Sequence, residues 1–122
     1  MKFKRFEEMN VWQDARILTK NIYRLTSNTK FRRDFGLKDQ IQRSAVSVMS
    51  NIAEGYERGT SKEFVHFLNY AKGSVGELRS QLYVAFDLEY FTQNEFDKTY
   101  ELSISISTQL ANFIKYLRKS IK

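Results

Sequence analysis

Residues 60–90 read TSKEFVHFLNYAKGSVGELRSQLYVAFDLEY, and this stretch decides the fold class. Apolar side chains recur along it in steps of three and four residues, which places them on one face of an α-helix. Thr60 and Glu63 stand in the positions of a capping box at its start. The pattern predicts a helix over 61–90, with a buried face formed by Phe64, Leu68, Ala71, Val75, Leu78, Leu82 and Ala85.

Two expectations concern packing. Gly73 and Gly76 lie inside this helix, where each glycine costs about 1 kcal/mol relative to alanine. We therefore expect a neighbouring helix to approach closely at both positions. Earlier in the chain, Phe31 and Phe35 lie in a polar, basic loop over 28–36, and we expect both rings to pack inward.

The same helical periodicity appears in three further segments, over 11–27, 37–56 and 93–119. No proline occurs in the 122 residues, so long helices are not interrupted by that residue. Connections of about two to eight residues make neighbouring helices antiparallel. We therefore predict a single domain over 1–122, an all-α, antiparallel up-down-up-down four-helix bundle.

Capping residues mark the ends of these helices. Asn10 is predicted to be the N-cap residue of the first helix, with Gln13 as its capping-box partner. Gly55 or Gly59 is expected to end the second helix, because glycine adopts left-handed backbone angles without steric cost. A second capping box, in the sequence Thr92-Gln93-Asn94-Glu95, opens the last helix.

The net charge of +6 is unevenly distributed along the chain. Residues 15–43 contain eight basic and two acidic side chains, whereas residues 76–101 contain six acidic and two basic ones. Such asymmetry predicts one surface that faces a polyanion and a separate acidic surface. The candidate nucleic-acid-binding residues are Arg16, Lys20, Arg24, Arg32, Arg33, Lys38 and Arg43. A basic row opposite a buried face is also an ordinary solvated face, and this interpretation stays open.

The sequence offers little for catalysis. It has no cysteine and one histidine, so thiolate metal sites are excluded and nucleophile–base pairs are scarce. Glu63 and His66 repeat half of a di-iron motif that needs a second histidine, which the chain lacks. Glu54, beside Asn51, is the one carboxylate considered for acid–base work, but the favoured interpretation is that both residues cap or brace the turn into the third helix. We expect no enzymatic activity, no metal and no cofactor.

No segment has the character of a signal peptide or a membrane span. The first eight residues are basic but lack an apolar core. No apolar run approaches the roughly 20 residues that a span needs. A cytoplasmic location and no membrane partner are therefore expected, and the absence of cysteine fits that location.

Aromatic residues make up 15% of the chain, with ten phenylalanines and seven tyrosines. One four-helix core cannot hold all of them, and exposed aromatic patches are typical of interfaces. Self-association is the simplest expectation. The residues that lie off the main buried faces are Trp12, Tyr23, Phe67, Tyr70, Tyr83, Phe86, Tyr90 and Tyr116.

Several short motifs occur in a familiar order. They include Val11-Trp12-Gln13, Phe35-Gly36-Leu37, Arg43-Ser44-Ala45, Asn51-Ile52-Ala53-Glu54-Gly55-Tyr56 with Arg58, and Ala71-x-Gly73-Ser74. On these residues the chain resembles the bacterial four-helix-bundle family of 23S rRNA-intervening-sequence proteins. A related branch serves as the accessory protein of diversity-generating retroelements. The resemblance covers nearly the whole chain and is densest over 36–78.

This resemblance implies a four-helix protomer, a ring-shaped homopentamer, and a basic surface that binds RNA or DNA without catalysis. In the accessory branch it implies engagement of a reverse transcriptase. We interpret Asn51, Glu54, Gly55 and Arg58 as a structural motif of this pattern. The alternative function is a protein-interaction scaffold or accessory subunit whose charge is incidental.

The sequence departs from the family pattern at two places. Proline is frequent in the loop before the second helix, where this chain has Phe31-Arg32-Arg33. A paired arginine is frequent where this chain has Gln42-Arg43, so helix 2 carries one positive charge fewer. Arg32 and Arg33 are expected to compensate for that loss.

Overall fold

The computed structural model describes residues 3–121, and within this range it contains helices and no strand. Two short 3-10 turns, at Phe6–Glu8 and Phe31–Arg33, precede the first two α-helices. The four α-helices are α1 (Asn10–Leu25), α2 (Phe35–Glu57), α3 (Ser61–Asp87) and α4 (Gln93–Arg118). The predicted all-α fold is therefore confirmed.

The helices pack in the order in which they follow one another along the chain. α2 contacts α1 on one side and α3 on the other, and α4 closes the bundle between α3 and α1. The α2–α3 pair is the most extensive contact in the bundle. Short loops between successive helices make this a four-helix bundle with antiparallel neighbours.

The core is formed by the apolar faces that the periodicity predicts. In α1 the buried side chains are Val11, Ala15, Leu18, Ile22 and Leu25. In α3 every member of the predicted apolar row is buried. Burial of these two rows of apolar side chains contributes to the hydrophobic stabilisation of the fold.

The helix bounds differ from the predicted ones by up to three residues. α1 ends at Leu25 instead of residue 27, and α2 extends over 35–57 instead of 37–56. α3 ends at Asp87 instead of residue 90, because Glu89 adopts a left-handed φ of 61°. The amide of Tyr90 then donates to the carbonyl of Ala85 at 3.0 Å, which closes the helix end. α4 ends at Arg118, one residue before the predicted 119.

The capping predictions have mixed outcomes. Asn10 is the first residue of α1 and not its N-cap, a position that Met9 occupies without a side-chain hydrogen bond. Gln13 instead donates to the carbonyl of Glu7 at 2.8 Å, which holds the Phe6–Glu8 turn against the helix start. Gly59, with φ of 87°, is the left-handed residue that follows α2, whereas Gly55 lies inside the helix.

Of the capping boxes predicted for α3 and α4, that of α4 is complete and that of α3 is not. At the start of α4, the amide of Glu95 donates to Thr92 Oγ1 and the amide of Thr92 donates to Glu95 Oε1. At the start of α3, Thr60 Oγ1 accepts from the amide of Glu63 at 3.2 Å, but the reciprocal bond is missing. The Glu63 carboxylate lies 4.0 Å from Arg58 instead.

The packing expectations were partly wrong. Phe31 is fully buried as predicted, but the ring of Phe35 is 74% exposed because Phe35 occupies the first turn of α2 on its outer side. A Cβ added at Gly73 or Gly76 would meet nothing within 4 Å. Among residues 3–121, the close helix approach occurs at Gly55, where a Cβ would lie 2.7 Å from that of Phe67.

Candidate nucleic-acid interface

Three cations form a row along the outer face of α1. Arg16, Lys20 and Arg24 are spaced by four residues, so they lie above one another on the helix. All three are exposed, opposite the buried face of α1. None of them pairs with a carboxylate of residues 3–121. The guanidinium of Arg24 donates to Asn21 Oδ1 at 3.0 Å, so that contact leaves its charge unneutralised.

The loop after α1 presents two further cations on a fixed backbone. Phe31 is buried beneath the 3-10 turn and packs against Tyr90, with ring centroids 4.9 Å apart. Asn28 accepts from the amide of Phe31 and donates to the carbonyl of Tyr90 at 2.6 Å. Arg32 and Arg33 are both exposed and face solvent from this anchored turn.

Asp34 is the acidic residue of this loop, and its carboxylate accepts two hydrogen bonds. It accepts from the amide of Leu37 at 3.1 Å, which caps α2, and from the hydroxyl of Tyr90 at 2.8 Å. The hydrogen bond to Asp34 raises the pKa of Tyr90 above its ordinary value. Asp34 thus braces the two loops at this end of the bundle, although its charge still lies beside Arg32 and Arg33.

The remaining two predicted binding residues lie on α2. Lys38 is half-buried, and its ammonium lies 5.1 Å from the ring centre of Phe35. Arg43 pairs with Asp39 at 3.2 Å and lines a shallow groove between α1 and α2 that also contains Tyr23. Its charge is therefore partly neutralised. The structure brings together the row on α1 and the following loop, while Arg43 is the weakest member of the predicted set.

The four residues interpreted as a structural motif make contacts within the chain. Asn51 Nδ2 donates to Ser47 Oγ at 3.0 Å, and this hydroxyl lies 2.9 Å from the hydroxyl of Ser74 in α3. Gly55 provides the space that Phe67 fills. These residues thus join α2 to α3 through hydrogen bonds that link Asn51, Ser47 and Ser74, and through the close packing of Phe67 against Gly55.

The other two motif residues form the corner between α2 and α3. Arg58 pairs with Glu54 at 2.8 Å, and its guanidinium stacks 4.8 Å from the ring centre of Phe67. The hydrogen bond to Glu54 raises the pKa of Arg58. Glu54 is thus engaged in an ion pair on the surface, which favours the bracing interpretation over acid–base chemistry.

The lone histidine shares a shallow surface groove with Glu63. His66 is exposed on α3, beside the rings of Phe67 and Tyr70. Residues 3–121 contain no group of three histidine, cysteine, aspartate or glutamate side chains arranged to hold a metal ion. The same residues contain no helix that is both long enough and apolar enough to span a membrane.

A cleft that the sequence did not indicate lies at the other end of the bundle. It forms where the segment before α1 crosses the end of α4, and it has a volume of about 560 Å³. The only sequence signal was that Tyr116 lies off the buried face of its helix. The lining residues are Phe3, Met9, Asn10, Val11, Gln109, Asn112, Phe113 and Tyr116.

These features define a small four-helix-bundle protein with a basic face on its first helix and the loop that follows. The family model described as 23S rRNA-intervening sequence protein matches residues 7–112. The chain therefore belongs to the 23S rRNA-intervening sequence protein family. No curated protein matches the sequence significantly.

A solved structure shares this fold. It is a protein of unknown function from the S23 ribosomal protein family of Bacteroides thetaiotaomicron VPI-5482. The two chains superpose with a TM-score of 0.79 and are 25% identical. The match covers 86% of this chain and 98% of the other.

Proposed function

We propose that this protein is a non-enzymatic, homo-oligomeric bundle protein of the cytoplasm that binds RNA or DNA through its basic face. The observation that carries the proposal is the row of Arg16, Lys20 and Arg24, which has no carboxylate partner among residues 3–121. Eight residues of helix span about 12 Å. That length matches three to four base pairs at about 3.4 Å each, so the row can follow a phosphate backbone.

Two further features support phosphate binding. Arg32 and Arg33 continue the basic surface beyond the end of α1, on a turn whose backbone is held by Asn28 and Phe31. The family to which the chain belongs takes its name from an intervening sequence of 23S rRNA. Contacts of arginine and lysine with phosphate groups do not depend on the bases, so we expect binding to be insensitive to the nucleotide sequence.

The test compares the wild-type protein with the variant Arg16→Gln, Lys20→Gln, Arg24→Gln. Binding to a structured RNA and to duplex DNA is measured by fluorescence anisotropy at several salt concentrations. The variant is expected to bind both more weakly. Its plot of log affinity against log salt is expected to be shallower by up to about 2.7, since each lost phosphate contact accounts for about 0.9.

A matched control removes the same charge elsewhere. Lys62, Lys72 and Lys98 are exposed lysines of α3 and α4, and their triple replacement by glutamine also lowers the net charge by three. This control is expected to bind nearly as well as wild type. If the two triple variants lost the same amount of nucleic-acid affinity, binding would depend on the net charge of the protein and not on the basic face of α1. Failure of the wild-type protein to bind either nucleic acid at about 50 mM salt would contradict the proposal.

Homo-oligomerisation is the second part of the proposal, with a pentamer as the assembly that the family resemblance implies. It is supported by large apolar side chains that one protomer leaves exposed. They include Tyr70, Tyr83 and Val84 of α3 and Leu88, which directly follows this helix. Such a patch favours burial against another chain.

The alternative function is a protein-interaction scaffold or accessory subunit, for example of a reverse transcriptase. The observation that favours it is the combination of exposed apolar residues on α3 with the acidic stretch over 76–101. The two functions are separated by co-expression with a candidate reverse transcriptase. Co-purification that survives nuclease treatment and high salt would support the scaffold.

A further inference from the structure

The cleft at the end of the bundle combines aromatic rings with free amide groups. Its aromatic part is built from Phe113 and Tyr116, whose ring centroids are 6.4 Å apart. Phe113 is half-buried and packs edge-on against Phe64 at 5.2 Å, so its position is fixed by the core. The ring of Tyr116 is 63% exposed and therefore leaves most of its surface open for stacking.

Two asparagine side chains flank these rings. Asn10 and Asn112 are exposed, and neither side chain has a hydrogen-bond partner within residues 3–121. Each amide offers both a donor and an acceptor. Gln109 differs, because its Nε2 already donates to Asp14 at 2.8 Å. The cleft thus presents stacking surface and unsatisfied hydrogen-bonding groups side by side.

Cations lie next to the cleft on both of its walls. Lys119 follows Tyr116 by three residues and Asn112 by seven, so all three lie on one face at the end of α4. Lys4 and Arg5 follow Phe3 on the opposite wall and are exposed. A ligand whose planar part enters the cleft would therefore place attached anionic groups near positive charge.

We propose that this cleft binds an unpaired base of a nucleic-acid strand, with the base stacked on Tyr116 and its edge hydrogen-bonded by Asn10 or Asn112. Stacking on aromatic rings with hydrogen bonds to base edges is how proteins commonly hold splayed-out bases. A volume of about 560 Å³ is within the range of sites that hold nucleotide-sized ligands. The inference rests on the proposed nucleic-acid function and adds a single-strand specificity to it.

The experiment separates base recognition from phosphate binding. Affinities are measured for strands of about 12 nucleotides: oligouridine, oligothymidine, and an abasic strand with the same number of phosphates. The wild-type protein is expected to bind the base-bearing strands at least fivefold more tightly than the abasic strand, since stacking contributes about 1–3 kcal/mol per base. Oligodeoxyuridine is also measured, because uridine and thymidine differ in the 5-methyl group as well as in the sugar. Tighter binding of oligouridine than of oligodeoxyuridine assigns the site to RNA, and equal affinity assigns it to bases on either sugar.

Tyr116→Ala is the variant that tests the site. It is expected to lose the preference for base-bearing strands while it binds the abasic strand as wild type does. Ile104→Ala is the control, because Ile104 is a large exposed side chain, at 40%, on the same helix as Tyr116 and outside the cleft. Asn112→Ala provides a second variant that leaves the rings in place and is expected to weaken the preference. Circular dichroism verifies the fold of each variant.

The inference is overturned if the wild-type protein binds the base-bearing and abasic strands equally. It is also overturned if Tyr116→Ala keeps the preference. The proposed function fails in a different way, in which no strand and no duplex binds at low salt. The triple glutamine variant of α1 should weaken all strands together and leave the ratio between them unchanged.

Discussion

Gly55 is the residue at which one added methyl group has the clearest consequence. A Cβ there would lie 2.7 Å from Phe67 Cβ and 3.0 Å from Phe64 Cδ1. Phe64 is buried in the core, and the first of these contacts involves the beginning of a side chain, which cannot rotate away. The helices would have to separate locally, and overpacking of this kind is destabilising.

Overpacking costs about 1–3 kcal/mol, and the higher helix propensity of alanine offsets up to about 1 kcal/mol of this cost. We therefore expect Gly55→Ala to lower the free energy of unfolding by up to about 2 kcal/mol. The measurement is urea denaturation followed by circular dichroism.

Gly73→Ala is the matched control in the same bundle. A Cβ at Gly73 meets nothing within 4 Å, so only the propensity gain remains. We expect the free energy of unfolding to rise by up to about 1 kcal/mol. If the free energy of unfolding changed in the same direction in both variants, the space around the added Cβ would not determine the effect of the substitution.

The sequence alone could not rank these glycines. Gly55, Gly73 and Gly76 all interrupt helical patterns, and the expectation of close packing was placed on the wrong pair. The space around a Cβ depends on the neighbouring helix, whose rotation is set by long-range packing and not by the local pattern. Gly59 was more accessible to prediction, because the end of a helix is a local event.

At the scale of the element, two identical capping patterns behave differently. The carboxylate of Glu95 accepts from the backbone of Thr92 at 2.9 Å, and this completes the box of α4. The carboxylate of Glu63 lies near Arg58, which follows the preceding helix. The corner between α2 and α3 is so short that Arg58 competes with the backbone for this carboxylate.

We expect Glu95→Ala to lower the free energy of unfolding by about 1 kcal/mol more than Glu63→Ala does. Both changes remove a charge from the first turn of a helix, so the dipole contribution is shared and cancels in the comparison. Thermal or urea unfolding of the two variants gives the difference. Equal losses would mean that the second bond of the box contributes nothing measurable.

Helix identity was more predictable than helix length. The steps of three and four residues located all four helices. Serine and isoleucine alternate over 103–107, a pattern typical of a strand, yet this stretch is helical as the surrounding periodicity predicts. The end of α3 was predicted three residues too late, because Glu89 adopts a left-handed backbone conformation that is unusual for glutamate. The capping residue of α1 was predicted incorrectly, because the side chain of Gln13 donates to the carbonyl of Glu7 in the preceding turn and does not complete a capping box with Asn10.

At the scale of the whole molecule, α3 and the residue that follows it carry four of the ten large apolar side chains that are exposed within residues 3–121. Val84 and Leu88 are four residues apart on one face, and Tyr70 lies on the same face about four turns earlier. Val46 of α2 is also exposed, but it lines a groove with Tyr23 and Arg43. The proposed self-association predicts that a second copy of the chain covers Val84 and Leu88.

Sedimentation at micromolar concentration is expected to show an assembly several times the 14.5 kDa of the chain. Val84→Glu is expected to weaken it, because a carboxylate in a buried interface is costly. Val46→Glu is the matched control, since the two valines are 45% and 40% exposed, and it should leave the assembly intact. A stable wild-type monomer would contradict the self-association proposal.

The basic face was predictable, and the cleft was not. Arg16, Lys20 and Arg24 belong to one helix, so their spacing alone places them together. The cleft joins residues near position 10 to residues near position 112, and only the closure of the bundle by α4 brings them into contact. Asp39 and Arg43 are also four residues apart on one helix, so the partial neutralisation of Arg43 was equally predictable from the spacing.

The up-down order of the helices brings both described ends of the chain to one end of the bundle. The hydroxyl of Tyr56 donates to the carbonyl of Phe3, and the hydroxyl of Ser120 lies 3.4 Å from that of Ser61. Phe3 itself lines the cleft with Tyr116, so a fusion joined at either described end is attached at the end of the bundle that holds the cleft. The end with Arg32 and Arg33 stays clear, so a label attached there through an engineered cysteine would report on the molecule without crowding the cleft.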